Sequence, residues 1–203
     1  MIIMNVCRFP WKNPKSLLVL ALVLLLAIVI CSTYVKSPEG WRESTMSRNL
    51  VFVYGSLKQT QPNHHWLTDK ANGEGHLRGL ATTEEKFPLV VASRYNIPYV
   101  LASPGTGKQI EGEVYEVDEQ MLSRLDILEA HPKYYERKMV KARMQESKEA
   151  IDCWIYLLHH FRPELLELPH LSTYFSKGDF VPRDMRDIKG PEYWSDVKLP
   201  EGL

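Results

Sequence analysis

The sequence predicts a mixed α/β domain carried behind one membrane-spanning helix. Three observations predict this. Residues 17–31 are apolar without a break, and 32–35 extend the run without adding charge. Beyond residue 48 come several short runs of strand character, most of them separated by Pro or Gly. One amphipathic stretch, 118–130, is long enough for a helix of a globular domain. The 203-residue length suits one domain with appendages. With 25% charged and 44% hydrophobic residues the balance is that of a globular protein, not of a disordered, collagenous or solenoid chain. Lys+Arg and Asp+Glu both count 25, so there is no basic excess to hold nucleic acid. The three cysteines, Cys7, Cys31 and Cys153, cannot build a disulfide framework.

Residues 17–35 match the ~20 residues a helix needs to cross a hydrocarbon core. Arg8, Lys12 and Lys15 precede the run, and Lys36 and Arg42 follow it. This small excess favours a cytoplasmic N-terminus. Trp11, Tyr34 and Trp41 flank the run as interfacial aromatics do. An uncleaved signal anchor fits best. A cleaved signal peptide would need a small-residue cleavage site, which Val29-Ile30-Cys31 does not supply. A buried helix of a globular domain would need a polar face, which unbroken Leu, Val and Ile do not leave. The expected division is therefore 1–16 cytoplasmic, 17–35 anchor, 36–48 linker, 49–188 folded domain and 189–203 tail. The sequence has no Asn-x-Ser/Thr sequon and one cysteine after residue 46. Both suit a domain of cytosolic ancestry. Met46, just before the first strand, offers a start for a shorter, soluble cytosolic form.

Residues 50–54 form a continuous β-rich run ending at Gly55, a buried strand entering a turn. Pro62 is placed to open a short helical turn containing Trp66 and Leu67. Further strands are expected at 79–82, 88–91, 99–102, 109–117, 138–144 and 151–158. In the last of these Ile151, Cys153, Ile155 and Leu157 alternate with Asp152, Trp154 and Tyr156. The helix 118–130 has Asp118 as N-cap and Met121, Leu122, Leu125 and Leu128 as its apolar stripe. His131 before Pro132 ends it. The Pro-, Asp- and Lys-rich tail from Pro163 is expected to wrap the surface.

Glu129 is the most informative residue. At 100° per residue it falls between Leu122 and Leu125, on the apolar stripe and at the negative end of the helix dipole. A carboxylate so placed suits a general base near neutral pH. The alternative is a frayed helix end that lets it reach water. The strand exit Tyr54-Gly55-Ser56-Leu57 can present several backbone N–H groups as a nest for an anion, or be a plain turn. Pro104-Gly105-Thr106-Gly107-Lys108 mimics the end of a phosphate-binding loop. Ala102 and Gln109 break that motif, and a strand follows where a helix is required. No nucleotide is expected there, and the segment reads as a hairpin turn. The seven histidines show no metal-ligand spacing and Cys153 stands alone, so no metal is expected. Ser56 lacks the Gly-x-Ser-x-Gly elbow of a hydrolase nucleophile.

Glu129 and the Tyr54–Leu57 turn occur together in an ordered pattern. Val51-Phe52-Val53-Tyr54-Gly55-Ser56-Leu57-Lys58, with Gln61-Pro62-Asn63-His64, resembles the opening of the gamma-glutamylamine cyclotransferases. These form an AIG2-like branch of the gamma-glutamyl cyclotransferase superfamily. Further matches are Pro88-Leu89-Val90, Asn96-Ile97-Pro98, Glu111-Gly112-Glu113-Val114-Tyr115, Leu125-Asp126, Glu129 and Tyr135-x-Arg137. The resemblance spans roughly residues 48–170 and extends into the tail to about 188. It implies a small barrel with peripheral helices and no cofactor. It also implies glutamyl recognition by Tyr54, Gly55, Ser56 and Leu57, and Glu129 as catalytic acid/base. The implied substrate is a small gamma-glutamyl amide, cyclised to 5-oxoproline with release of an amine. Lys58 with Gln61-Pro62-Asn63-His64 favours the amine branch. A cyclotransferase for gamma-glutamyl amino acids or glutathione, and a membrane-tethered binding module without turnover, remain as alternatives. Ser56 stands where close relatives carry Thr, which keeps a hydroxyl. The apolar N-terminus is not part of the family pattern.

Overall fold

The computed structural model describes residues 49–182, 185–186 and 194–199. The chain divides into two compact units, Met1–Thr45 and Met46–Leu203, and every described residue belongs to the second. The expected anchor at 17–35 and the linker 36–48 lie outside the described residues. Among those residues no helix is long and apolar enough to cross a membrane.

Among the described residues, seven strands and one full helix build the domain. They are β1 (Asn49–Val53), β2 (Gly75–Phe87), β3 (Leu89–Ala92), β4 (Ile97–Val100), β5 (Lys108–Val117), β6 (Tyr135–Met144) and β7 (Ala150–Leu158). A four-residue helix α1 (His65–Thr68) follows β1, and α2 (Glu119–Leu128) joins β5 to β6. β1, β5, β2, β6 and β7 close a barrel in that order, sealed by a parallel contact of Val51 with Trp154. β3 and β4 form a separate two-stranded sheet.

The end of β1 and the later halves of β5 and β7 are buried on both faces because both faces are covered. Phe52, Val114, Cys153, Ile155 and Leu157 belong to one buried cluster. Their alternate neighbours Val51, Val53, Tyr115, Tyr156 and Leu158 pack in a second, which Met121, Leu122 and Leu125 of α2 complete. At about 25 cal/mol per Å² of apolar area removed from water, this double layer is the chief source of stability. It also holds the C-terminal end of β1 close to the C-terminal end of α2.

Several expectations need correction. Pro62 does not open α1; the helix starts at His65 with His64 as N-cap, and Pro62 lies in the turn before it. α2 ends at Leu128, two residues early, because Ala130 adopts a left-handed φ of 50°. Its N–H donates to Ile127 O at 3.2 Å and that of His131 to Asp126 O at 2.9 Å, a helix stop in which Ala takes the place glycine usually holds. The 104–107 turn is no hairpin, since β4 and β5 do not pair with each other; it carries the chain from the small sheet to the barrel. The tail does more than wrap the surface. Leu165, Phe180 and Val197 enter the outer cluster and Tyr174 the inner one.

Candidate active site

β1 runs out of the barrel at Val53, and the chain turns through Tyr54, Gly55, Ser56 and Leu57. Tight turning is enforced by three main-chain bonds. Lys58 N–H donates to Gly55 O (3.2 Å), Gln61 N–H to Lys58 O (3.0 Å) and Asn63 N–H to Ser56 O (2.9 Å). The Asn63 Nδ2 also donates to the Ser56 hydroxyl at 2.9 Å. A buried carboxylate fixes the far side of the turn: Glu113 Oε2 accepts the Gln59 N–H at 2.9 Å and the Tyr115 hydroxyl at 3.0 Å. Lys58 is buried with its Nζ donating to Thr173 Oγ1 at 3.1 Å and lying 4.2 Å above the Phe175 ring. Burial holds its pKa below the ordinary lysine value, opposed by the charges of Glu113 and Glu111. Among the described residues no group accepts a hydrogen bond from the N–H of Gly55, Ser56 or Leu57. Three adjacent donors are left for an anion or a carbonyl.

Gly55 is needed for a reason the sequence does not reveal. It has no left-handed φ. A Cβ on it would meet Pro98 Cγ at 2.9 Å, so the bare backbone is what lets β4 pack against the turn.

Glu129 is the C-cap of α2, half-buried, with φ −84° and ψ 0°. Its N–H donates to Leu125 O at 2.8 Å and its carbonyl accepts the Tyr135 N–H at 3.3 Å. Main chain therefore grips the residue from the helix and from β6. Around its side chain stand three tyrosines, Tyr54, Tyr135 and Tyr156, whose hydroxyl pKa values rise above the ordinary value. Burial is the main cause in each, and the negative charge of Glu129 adds to it. All three stay neutral at physiological pH. Tyr54 donates to Tyr156 O at 2.9 Å, and Tyr156 donates to Asp126 Oδ1 at 2.7 Å. Asp126 Oδ2 accepts from Arg137 Nη1 at 3.0 Å, and Arg137 lies 4.8 Å above the Trp154 ring. This chain of bonds ties the end of α2 to β6 and β7.

Tyr54, Gly55, Ser56, Leu57 and Glu129 line one pocket of about 380 Å³. Every site residue expected from the sequence is thus brought to one place. Sequence reasoning missed Asn63, Tyr156, Arg186 and Trp194, which line it too. Tyr156 shares its strand face with Asp152 and Trp154, opposite Ile151, Cys153, Ile155 and Leu157, and alternation alone does not mark it as a pocket residue. Arg186 and Trp194 come from the tail, where no periodic signal exists. The arrangement offers amide donors on one wall, a carboxylate on another and aromatic rings between. Among the described residues no cluster of His, Cys, Asp and Glu could hold a metal ion.

The family model for gamma-glutamyl cyclotransferase, AIG2-like, matches residues 51–180. A Drosophila melanogaster protein provisionally named a gamma-glutamylcyclotransferase is 56% identical over 124 residues, 61% of this chain and 78% of its own. The human gamma-glutamylaminecyclotransferase is 41% identical over 151 residues, covering 68% of this chain and 99% of its own. The crystal structure of an AIG2-like protein from Mus musculus superposes with a TM-score of 0.65 at 40% identity, over 68% of this chain and 99% of that one. The barrel, the turn after β1 and the matched residues agree: this chain belongs to the AIG2-like gamma-glutamyl cyclotransferase family.

Proposed function

We infer that the chain is a gamma-glutamylamine cyclotransferase in which Glu129 is the general acid/base and the turn after β1 holds the glutamyl group. The observation that carries this reading is the convergence of Glu129 with the unbonded N–H groups of Gly55, Ser56 and Leu57 on one pocket. Relatives that carry the same activity in their names, such as the human protein at 41% identity, support it.

The chemistry needs little equipment. The substrate's own α-amine attacks its γ-carbonyl carbon and a five-membered ring closes. The new C–N bond forms as the amide bond to the leaving amine breaks. Glu129 takes a proton from the attacking nitrogen and returns it to the departing one, so protons balance and no water is consumed. The turn's amides hold the glutamyl α-carboxylate, and orientation then lowers most of the barrier. The products are 5-oxoproline and a free amine. Neutral phenols around Glu129 give it polar company without a competing charge.

Glu129→Gln keeps shape and much of the hydrogen bonding but cannot shuttle a proton. Turnover of gamma-glutamyl amides is expected to fall by about 10²–10⁴, with unchanged or slightly higher thermal stability. Near-normal 5-oxoproline release by the folded variant would remove Glu129 from the mechanism. A panel that includes gamma-glutamyl amino acids and glutathione measures selectivity in the same assay.

The run 17–35 serves, in this reading, as a membrane anchor with the preceding residues cytoplasmic. Full-length protein is expected in the membrane pellet after alkaline carbonate extraction, while a 46–203 fragment stays in the supernatant. Carbonate release of the full chain would overturn the anchor.

A further inference from the structure

The family match ends at residue 180, yet two residues lining the pocket, Arg186 and Trp194, come after it. Trp194 is held firmly. Its ring stacks on Tyr134 with centroids 5.1 Å apart and planes at 22°. Two residues on, Asp196 clasps Arg94: Oδ1 accepts from Nη2 at 2.6 Å, and Oδ2 accepts from Nε at 2.8 Å and from the Arg94 N–H at 3.1 Å. Arg94 holds the Asp196 carboxyl below the ordinary aspartate value. Val197 is fully buried and its carbonyl accepts the Arg162 N–H at 2.8 Å. Leu199 N–H donates to His160 O at 2.9 Å. A planar bidentate clasp with buried apolar support is a built attachment, stronger than an ordinary surface pair.

The glutamyl end of a substrate is fully employed. Its carboxylate goes to the turn's amides and its amine to Glu129. Arg186 and Asn63 add polar groups to the wall, but Arg186 Nε donates to Val181 O at 2.8 Å and its guanidinium lies 5.1 Å from the Phe180 ring centroid; Ile97, Pro98, Leu128, Tyr134 and Trp194 make most of what remains apolar and aromatic. What remains of the substrate to meet that wall is the leaving amine. We propose that Trp194, stacked on Tyr134 and seated by the Arg94–Asp196 clasp, forms the leaving-amine subsite and selects gamma-glutamyl amides whose amine carries an extended apolar chain. Trp194 is the specificity residue; Arg94 and Asp196 are positioning residues. This rests on the cyclotransferase reading above.

The test compares two substrates, gamma-glutamyl-methylamide and gamma-glutamyl-hexylamide. The full chain is assayed as wild type, Trp194→Ala, Trp194→Phe and Asp196→Asn, by 5-oxoproline release. Trp194→Ala is expected to lower kcat/KM for the hexylamide at least tenfold more than for the methylamide, with the difference carried by KM. Trp194→Phe, which keeps a ring to stack, should restore most of that difference. Asp196→Asn should move selectivity the same way by a smaller factor. Equal losses on both amides, or no loss on either, overturn the subsite. If wild type releases 5-oxoproline from neither amide, the cyclotransferase reading fails on its own. Calorimetric affinities of the two amides for wild type and Trp194→Ala then decide the subsite separately, equal ratios overturning it.

Discussion

Ser56 and Gly55 separate two ways in which one turn can recognise a ligand. The Ser56 hydroxyl already accepts a bond from Asn63 at 2.9 Å, so it serves the shape of the turn. If backbone amides hold the substrate, Ser56→Ala should cost at most about 1–1.5 kcal/mol in kcat/KM, the net worth of one neutral hydrogen bond. Gly55→Val must push against Pro98, whose Cγ stands 2.9 Å from the position of a Cβ. Overpacking of this kind costs about 1–3 kcal/mol, and here it displaces the N–H groups themselves. Substrate binding should therefore be lost even where the variant folds, as calorimetry would show. A crippling Ser56→Ala beside a tolerated Gly55→Val would mean that a hydroxyl does the recognition. The need for glycine was legible in the sequence, but its cause was not. Pro98 is 43 positions away, and only the fold brings the two together.

The end of α2 shows what a sequence conveys about an element and what it withholds. Asp118 as N-cap and the Met121, Leu122, Leu125 and Leu128 stripe were readable from spacing, and the structure carries them as read, with Asp118 Oδ1 accepting the Met121 N–H at 2.7 Å. The stopping point was not readable. It depends on Ala130 accepting a left-handed φ of 50°, a conformation that costs an L-residue about 1–2 kcal/mol. Ala130→Gly removes that strain but adds freedom to the unfolded chain. A net gain of about 0.5–1 kcal/mol in stability is expected, seen as a rise of a few degrees in Tm. A lower Tm would mean that the alanine methyl packs better than its backbone suffers. The strands divide in the same way. Their positions follow from β-branched and aromatic runs, whereas the long reach of β2 through polar residues is set by its partners β5 and β6.

At the scale of the whole molecule, the tyrosines around the pocket set an upper limit on pH. Tyr54, Tyr135 and Tyr156 have raised pKa values in the folded state, mainly through burial. In the unfolded chain each titrates near the ordinary tyrosine value of about 10. Below that value both states are protonated and stability is unaffected. Above it the unfolded chain sheds protons that the folded one retains, so stability falls by about 1.4 kcal/mol per pH unit for each such tyrosine. Urea midpoints measured between pH 8 and 11.5 should be flat at first and drop steeply past 10. A flat profile throughout would mean that these hydroxyls reach solvent.

The closed barrel also constrains how the chain can come to exist. β1 is made first, yet its partners are β5 and, through Val51 and Trp154, a strand about a hundred residues later. Until β7 has left the ribosome, β1 lacks one of its neighbours and α2 lacks part of the surface it covers. The amides of the turn after β1 and the carboxylate of Glu129 belong to segments synthesised far apart. The barrel side of the pocket thus comes into being only when the last strand closes the ring, Arg186 and Trp194 join it later still, and a nascent chain has no partial catalyst to offer before then.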